Sequence, residues 1–245
     1  MTSRAEFLDR IRGEMRKTRG LFPAGASARP ERPADAVEIV RRQLAERWPE
    51  TLERFRREFE GVGGVFHTAR AARDVPGVVA SIARDRGLSR LVAWHPSALG
   101  ADFSDGFVRE GLRVEVMPAD EVADVERQRL RAAAADADLG VTGVDLAVAE
   151  TGTLVLRSGA GRPRSTSLLP PCHLAVFDRR VLIETLQQLG VFFEAWHAAP
   201  AGSSGAMINL ITGPSRTADI ELTLTRGVHG PKEVHAVFVE TALDG

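Results

Sequence analysis

One cysteine, Cys172, is all that this 245-residue sequence carries. A single thiol excludes an intramolecular disulfide, a structural zinc site built from cysteines and a self-contained cysteine-ligated iron–sulfur cluster. Net charge is equally scarce. Lys+Arg total 32 against 33 Asp+Glu, and a pI near 6.6 leaves no general field to gather polyanions, so nucleic acid is not an expected partner. No apolar run approaches the ~18–20 residues of a membrane-spanning helix. The opening MTSRAEFLDRIRGEMRKTRG has no apolar h-region and mixes acids with its arginines, so it does not read as a secretory leader, and the cytoplasm is the expected location. Common catalytic signatures are missing as well. GVGG at 61–64 precedes its strand instead of following one, and there is no Walker sequence, GxSxG elbow or HExxH.

What is present suits an ordinary globular protein, with 44% hydrophobic residues and length enough for one large core or two modest ones. Residues 4–18 set Phe7, Leu8, Ile11 and Met15 at helical spacing, and the Pro/Gly/Ala/Ser-rich stretch 21–33 then breaks the pattern as a linker. A second helical stretch, 34–60, repeats Val37, Val40, Leu44, Leu52, Phe55 and Phe59, with Pro49 expected to break it after Trp48. Residues 1–60 therefore read as an N-terminal helical arm and linker, and 61–245 as one α/β domain.

In that domain, short apolar runs alternate with helical ones, which predicts βαβ units and a mixed, mostly parallel sheet flanked by helices. GGVFHTA, RLVAWH, RVEVMP, DLGVTG, DLAVAE, GTLVLRS, HLAVFD, MINLITG and EVHAVFVE read as strands of a sheet of about eight. Helices are expected over 75–87, 98–110, 121–135 and near 179–189. The turns between DLGVTG, DLAVAE and GTLVLRS are too short for helices, so part of the sheet must be antiparallel.

Ligands of open α/β sheets bind outside the carboxyl ends of the strands. Three loops carry the chemistry there. In 150–153, Glu150 can act as nucleophile, base or acceptor, or simply satisfy the turn's backbone N–H groups alongside Thr151, Gly152 and Thr153. In 158–171, Arg164 with Arg162, Ser165, Thr166 and Ser167 forms either an anion site or an exposed basic lid. In 213–231, Ser215 or Thr217 can cap a helix whose free N–H groups welcome an anion beside Arg216. Asp219 and Glu221 cannot share one helical face, and Asp219 either steadies the helix start or pairs with Arg216. His229, held in the tight GVHGP turn, either titrates against a ligand or idles in solvent. No second histidine lies at close ligand spacing, so no metal site is expected, and Cys172 beside His173 reads as a packed core thiol because neighbours in a strand face opposite ways. We expect the three loops to converge on one cleft, with Arg164 or Arg216 meeting an anion and His229 or Glu150 nearby for proton transfer.

ETGT at 150–153, RSTSLLPPCHLAVF at 164–177 and GPSRTADIELTLTRGVHGPKEVHAVFVE at 213–240 together closely resemble the LUD-domain family, in particular its lactate utilization protein C group. The resemblance runs from about residue 61 to 240. It implies a Rossmann-like sheet of the NagB/RpiA/CoA-transferase type and a part in oxidising L-lactate to pyruvate with two partner proteins, one carrying iron–sulfur clusters. The family's motif residues fall on Glu150, Thr151, Gly152, Thr153, Arg164, Pro170, Gly213, Pro214, Ser215, Arg216, Thr217, Asp219, Glu221, His229 and Gly230.

Lactate oxidation needs an electron acceptor, and no motif for one is present on this chain. The leading expectation is an accessory, non-redox subunit that binds a small carboxylate or phosphate-bearing ligand or a partner, holds no cofactor itself, and can form a homo-oligomer. Two alternatives stay open. One is an independent CoA-transferase-like or sugar-phosphate-isomerase-like enzyme in which Glu150 attacks a thioester, and the other is an assembly scaffold.

Overall fold

The computed structural model describes residues 4–17, 32–200, 205–217 and 225–243. Asp219 and Glu221 fall outside them. Helix α1 covers Arg4–Lys17, with Phe7 and Ile11 exposed. Helix α2 is a single helix over Pro33–Gly61 with Pro49 inside it, not two helices broken at that residue. Proline removes one backbone donor, but packing on both sides of it holds the axis, and the Thr51 hydroxyl donates to the Arg47 carbonyl at 2.9 Å.

Strand β1 (Val65–Ala69) leads to α3 (Val75–Arg86), β2 (Arg90–Ala93), the short helices α4 (Pro96–Leu99) and α5 (Ser104–Arg109), β3 (Arg113–Val116), α6 (Asp124–Asp136) and β4 (Leu139–Thr142). Then follow β5 (Leu146–Val148), β6 (Thr153–Ser158), α7 (Ser165–Leu168), β7 (Cys172–Asp178), β8 (Leu182–Ile183), α8 (Leu186–Ala198), β9 (Met207–Ile211), β10 (Arg216–Thr217), β11 (Thr225–Arg226) and β12 (Glu233–Val239). The helix expected near 179–189 lies further on, as α8. Residues 179–181 form a single 3-10 turn and 182–183 a strand, and Thr185 starts α8 with a capping box to Gln188.

The mostly parallel α/β architecture read from the sequence is present, but as more than one sheet. A six-stranded parallel sheet runs in the order β1-β12-β7-β4-β2-β3, and a four-stranded sheet in the order β8-β5-β6-β9 is antiparallel except for β5 with β8. Only three residues separate β4 from β5, so the chain passes from one sheet to the other without a helix. Strands β4, β5 and β7 are buried along their whole length, as both-face coverage requires.

Helix α2 ties the sheets together. Val37, Val40 and Leu44 pack with Leu146, Val155, Ile183 and Phe192 of the smaller sheet and α8, whereas Phe55 and Phe59 lie in the main core. Phe55 meets Phe177 edge-on at 5.4 Å, and Trp48 stacks on Phe238 at 6.0 Å. Residues 33–61 are thus part of the core rather than an arm outside it. Parallel register sets Val92, Gly140 and His173 on one face of the large sheet, where α6 and α7 lie. Gly140 is required there, because a Cβ would sit 1.8 Å from the Thr166 carbonyl oxygen of α7.

Candidate functional site

The order of the large sheet creates a switch point. The chain leaves β2 through α4 and α5 to reach β3 at the edge, then returns through α6 to β4 on the other side of β2. Connections diverging from adjacent strands open a crevice at their carboxyl ends, the usual ligand position in such sheets. The 158–169 segment frames this crevice. His95 N–H donates to the Gly161 carbonyl at 2.8 Å, and the Trp94 indole donates to the Pro163 carbonyl at 3.1 Å. Asp145 anchors the same segment from below. Its carboxylate accepts from Arg157 N–H at 2.7 Å, Arg157 Nε at 2.8 Å and Arg162 Nη1 at 3.2 Å.

Between this loop and α6 lies a cleft of about 910 Å³, bordered by Met117 and Pro118 after β3, by α6, and by the Gly159–Gly161 backbone. Its volume is in the range of small-molecule sites. Arg127, Arg131 and Arg164 line it from different elements, with Asp120 and Glu121 at the same opening. Arg127 is engaged by Asp124 at 2.6 Å and by the Val122 carbonyl. Among the described residues, Arg131 and Arg164 have no carboxylate within 4.0 Å. Arg164 Nη1 instead lies 3.2 Å from the Met207 sulfur, a weak acceptor. Two guanidinium groups facing a cleft, neither held by a carboxylate among the described residues, suit a carboxylate or phosphate, which each can grip through a planar fork.

The other expected residues gather elsewhere. β6 runs from Thr153 to Ser158 and pairs with β9, so the ETGT turn and the arginine-lined cleft sit at opposite ends of one ladder, about 17 Å apart at strand rise. The single convergence expected of the three loops does not occur. Sequence reading missed this because it could not pair β6 with β9, and that pairing decides which loop ends meet. Loops 150–153 and 213–217 do meet, against the carboxyl end of α2. Thr153 Oγ1 is 2.7 Å from both Thr151 Oγ1 and Thr212 Oγ1. Gly152, at φ +59, lies so close to α2 that a Cβ would be 2.3 Å from Phe59 N. Arg216 Nη2 donates to the Val62 carbonyl at the end of that helix. Glu150 is exposed, and its Oε2 accepts from Leu186 N–H at 2.8 Å, satisfying a free donor at the start of α8.

Ser215, Arg216 and Thr217 do not open a helix as expected. Arg216 and Thr217 form β10, paired with β11, while Ser215 N–H donates to the Pro231 carbonyl at 3.0 Å. A hydroxyl at Ser215 suits a turn as well as a helix start, and only the pairing of Arg216 with Arg226 and of Thr217 with Thr225 decides for a strand. His229 is exposed beyond this ribbon. Two residues important to the cleft went unrecognised. Arg131 is one charge among several on α6, and Asp145 sits in a short turn, so neither carries a local signal. Only the placement of α6 and of the 158–169 loop gives them a role.

A family model for the LUD domain matches residues 52–239. The chain is similar to a lactate utilization protein C from Halalkalibacterium halodurans, 42% identical over 116 residues that make up 47% of this chain and 50% of that one. It is also similar to a lactate utilization protein C from Macrococcus caseolyticus, 34% identical over 161 residues, 63% of each chain. These alignments span about half to two thirds of the curated relatives' length. A crystal structure of a DUF162 family protein from Deinococcus radiodurans is 21% identical with a TM-score of 0.49, covering 78% of this chain and 98% of that one. No helix among the described residues is long and apolar enough to cross a membrane. With the family match covering most of the folded core, the chain belongs to the LUD-domain family.

Proposed function

We propose that this protein serves lactate utilisation as a non-redox component that binds a small anionic ligand, a carboxylate or phosphate ester, in the cleft between α6 and the 158–169 loop. The observation that carries the reading is the pair Arg131 and Arg164, presented to a cleft at the carboxyl end of the sheet without carboxylate partners among the described residues. The relatives' names supply the metabolic setting. One cysteine cannot build a cluster, so electrons removed from lactate pass to an acceptor held by other proteins, with iron–sulfur proteins the expected class. The transferase alternative needs Glu150 as nucleophile at a substrate cleft, and that exposed side chain instead has one oxygen, Oε2, accepting from Leu186 N–H, away from the arginine-lined cleft.

Calorimetric titration with L-lactate, pyruvate and a sugar phosphate tests the binding claim. A charged hydrogen bond contributes about 1.5–3 kcal/mol, so Arg164→Ala weakens the bound ligand by roughly 10- to 150-fold. Lactate oxidation by the purified chain alone, with a dye as acceptor, would contradict the non-redox role. Activity that appears only when partner proteins are added supports it.

A further inference from the structure

The register of β7 against β12 sets Cys172 opposite Glu233, and strand alternation puts His235 on the same face as Glu233. On the other side of β12, β1 brings His67 beside them. Cys172 Sγ, a Glu233 carboxylate oxygen and an imidazole nitrogen of His235 all lie within 4.8 Å of one another. Cys172 and His235 are buried, while the Glu233 side chain is 44% exposed and opens the cluster to solvent. We propose that these three side chains form a binding site for one borderline transition-metal cation of the zinc class, with His67 orienting His235.

The donor set selects the metal. Thiolate with imidazole and carboxylate suits zinc, cobalt or copper, and a hard cation such as magnesium or calcium prefers all-oxygen ligands. His67 Nε2 lies 3.0 Å from His235 Nδ1, the outer contact that fixes a ligating imidazole, and it leaves His235 Nε2 aimed at Glu233 Oε2, 3.2 Å away. A cationic group already occupies the open side, for Arg86 Nε donates to Glu233 Oε2 at 2.5 Å. Arg86 stands at the carboxyl end of α3 with its side chain 31% exposed, so it can swing into solvent when a metal takes its place.

Tetrahedral zinc holds its ligand atoms about 3.3–3.8 Å apart, and with all three ligand atoms within 4.8 Å of one another the cluster needs to contract by at most about 1 Å. The proton balance is simple. Burial pushes the Cys172 thiol up to about 12, so it enters as a thiol and gives one proton to solvent. His235 stays neutral and shifts its proton from Nε2 to Nδ1, donating to His67, and Glu233 is already ionised. Three protein ligands leave a fourth position for water or a small anion. The expectation of no metal rested on spacing along the chain, and these ligands meet only across strands.

Titration of the chelator-treated full-length protein with cobalt and zinc chloride tests the site. Expected are one cobalt per chain with a thiolate-to-metal charge-transfer band, and zinc that displaces it. Cys172→Ser removes the band, and His235→Asn weakens zinc at least tenfold, both with an unchanged circular dichroism spectrum. No charge-transfer band in the wild type would overturn the proposal. So would cobalt or zinc binding of equal strength in Cys172→Ser.

Discussion

Replacing Gly152 by alanine separates a packing role for the ETGT turn from a catalytic one. The added methyl carbon would lie 2.3 Å from Phe59 N and 2.6 Å from Glu58 C, all backbone of α2, which cannot yield as a side-chain tip can. Two costs add. A non-glycine residue in the left-handed region pays roughly 1–2 kcal/mol. Overpacking a close contact costs about 1–3 kcal/mol more. The sum, about 2–5 kcal/mol, corresponds to a fall in Tm of roughly 4–20 °C for a chain of this size. Gly77 provides the control. It lies in α3 with nothing within 4 Å of the added carbon, so alanine there leaves stability unchanged or raises it by up to about 1 kcal/mol. Thermal unfolding followed by circular dichroism reads both variants. A Gly152→Ala protein melting within about 2 °C of the wild type would refute the packing account of that turn.

Asp145, with a side chain only 9% exposed and two arginines on it, holds the wall of the cleft. Asp145→Ala removes the carboxylate that Arg157 and Arg162 share, costing about 1–3 kcal/mol, and chemical denaturation should show it. Phe59→Ala should destabilise by about 3–5 kcal/mol, because the ring is fully buried in the main core, and a loss below 1 kcal/mol would place α2 outside the cooperative unit. His173 is buried with Nε2 2.8 Å from Thr142 Oγ1 and nothing on Nδ1, and burial holds its pKa down at about 3. The unfolded chain, with a value near 6.5, therefore takes up the proton first. This contribution is fully present above pH 6.5 and is lost as pH falls towards 3, amounting to about 2 kcal/mol between pH 7 and pH 5. Urea midpoints at the two values should diverge less in His173→Asn than in the wild type, and equal divergence would contradict the assignment.

The parallel strands were legible because each is an apolar run bounded by turn residues and separated by helical periods, as in RLVAWH, RVEVMP and HLAVFD. α2 was legible from its spaced Val and Phe residues, but Pro49 outweighed them in the sequence and not in the fold, where packing at both Leu44 and Phe55 compensates for one missing donor. α8 was placed too early because Leu182 and Ile183 continue its apolar pattern, and only their pairing with β5 shows that they are a strand. Arg164 stands out in the sequence because its loop is long and basic. Its companion Arg131 comes from a helix 33 positions earlier, and no pattern in one sequence joins the two. The same limit hid the Cys172–Glu233–His235 cluster, which exists only once β7 and β12 are in register.

The proposed anion site is the cleft beside α6 and not the face formed by the ETGT and GPSRT segments. Isothermal titration of one carboxylate ligand, pyruvate or L-lactate, into Arg164→Ala and Arg216→Ala side by side tests it most directly. Affinity should fall at least tenfold in Arg164→Ala and stay unchanged in Arg216→Ala. Loss confined to Arg216→Ala would contradict it.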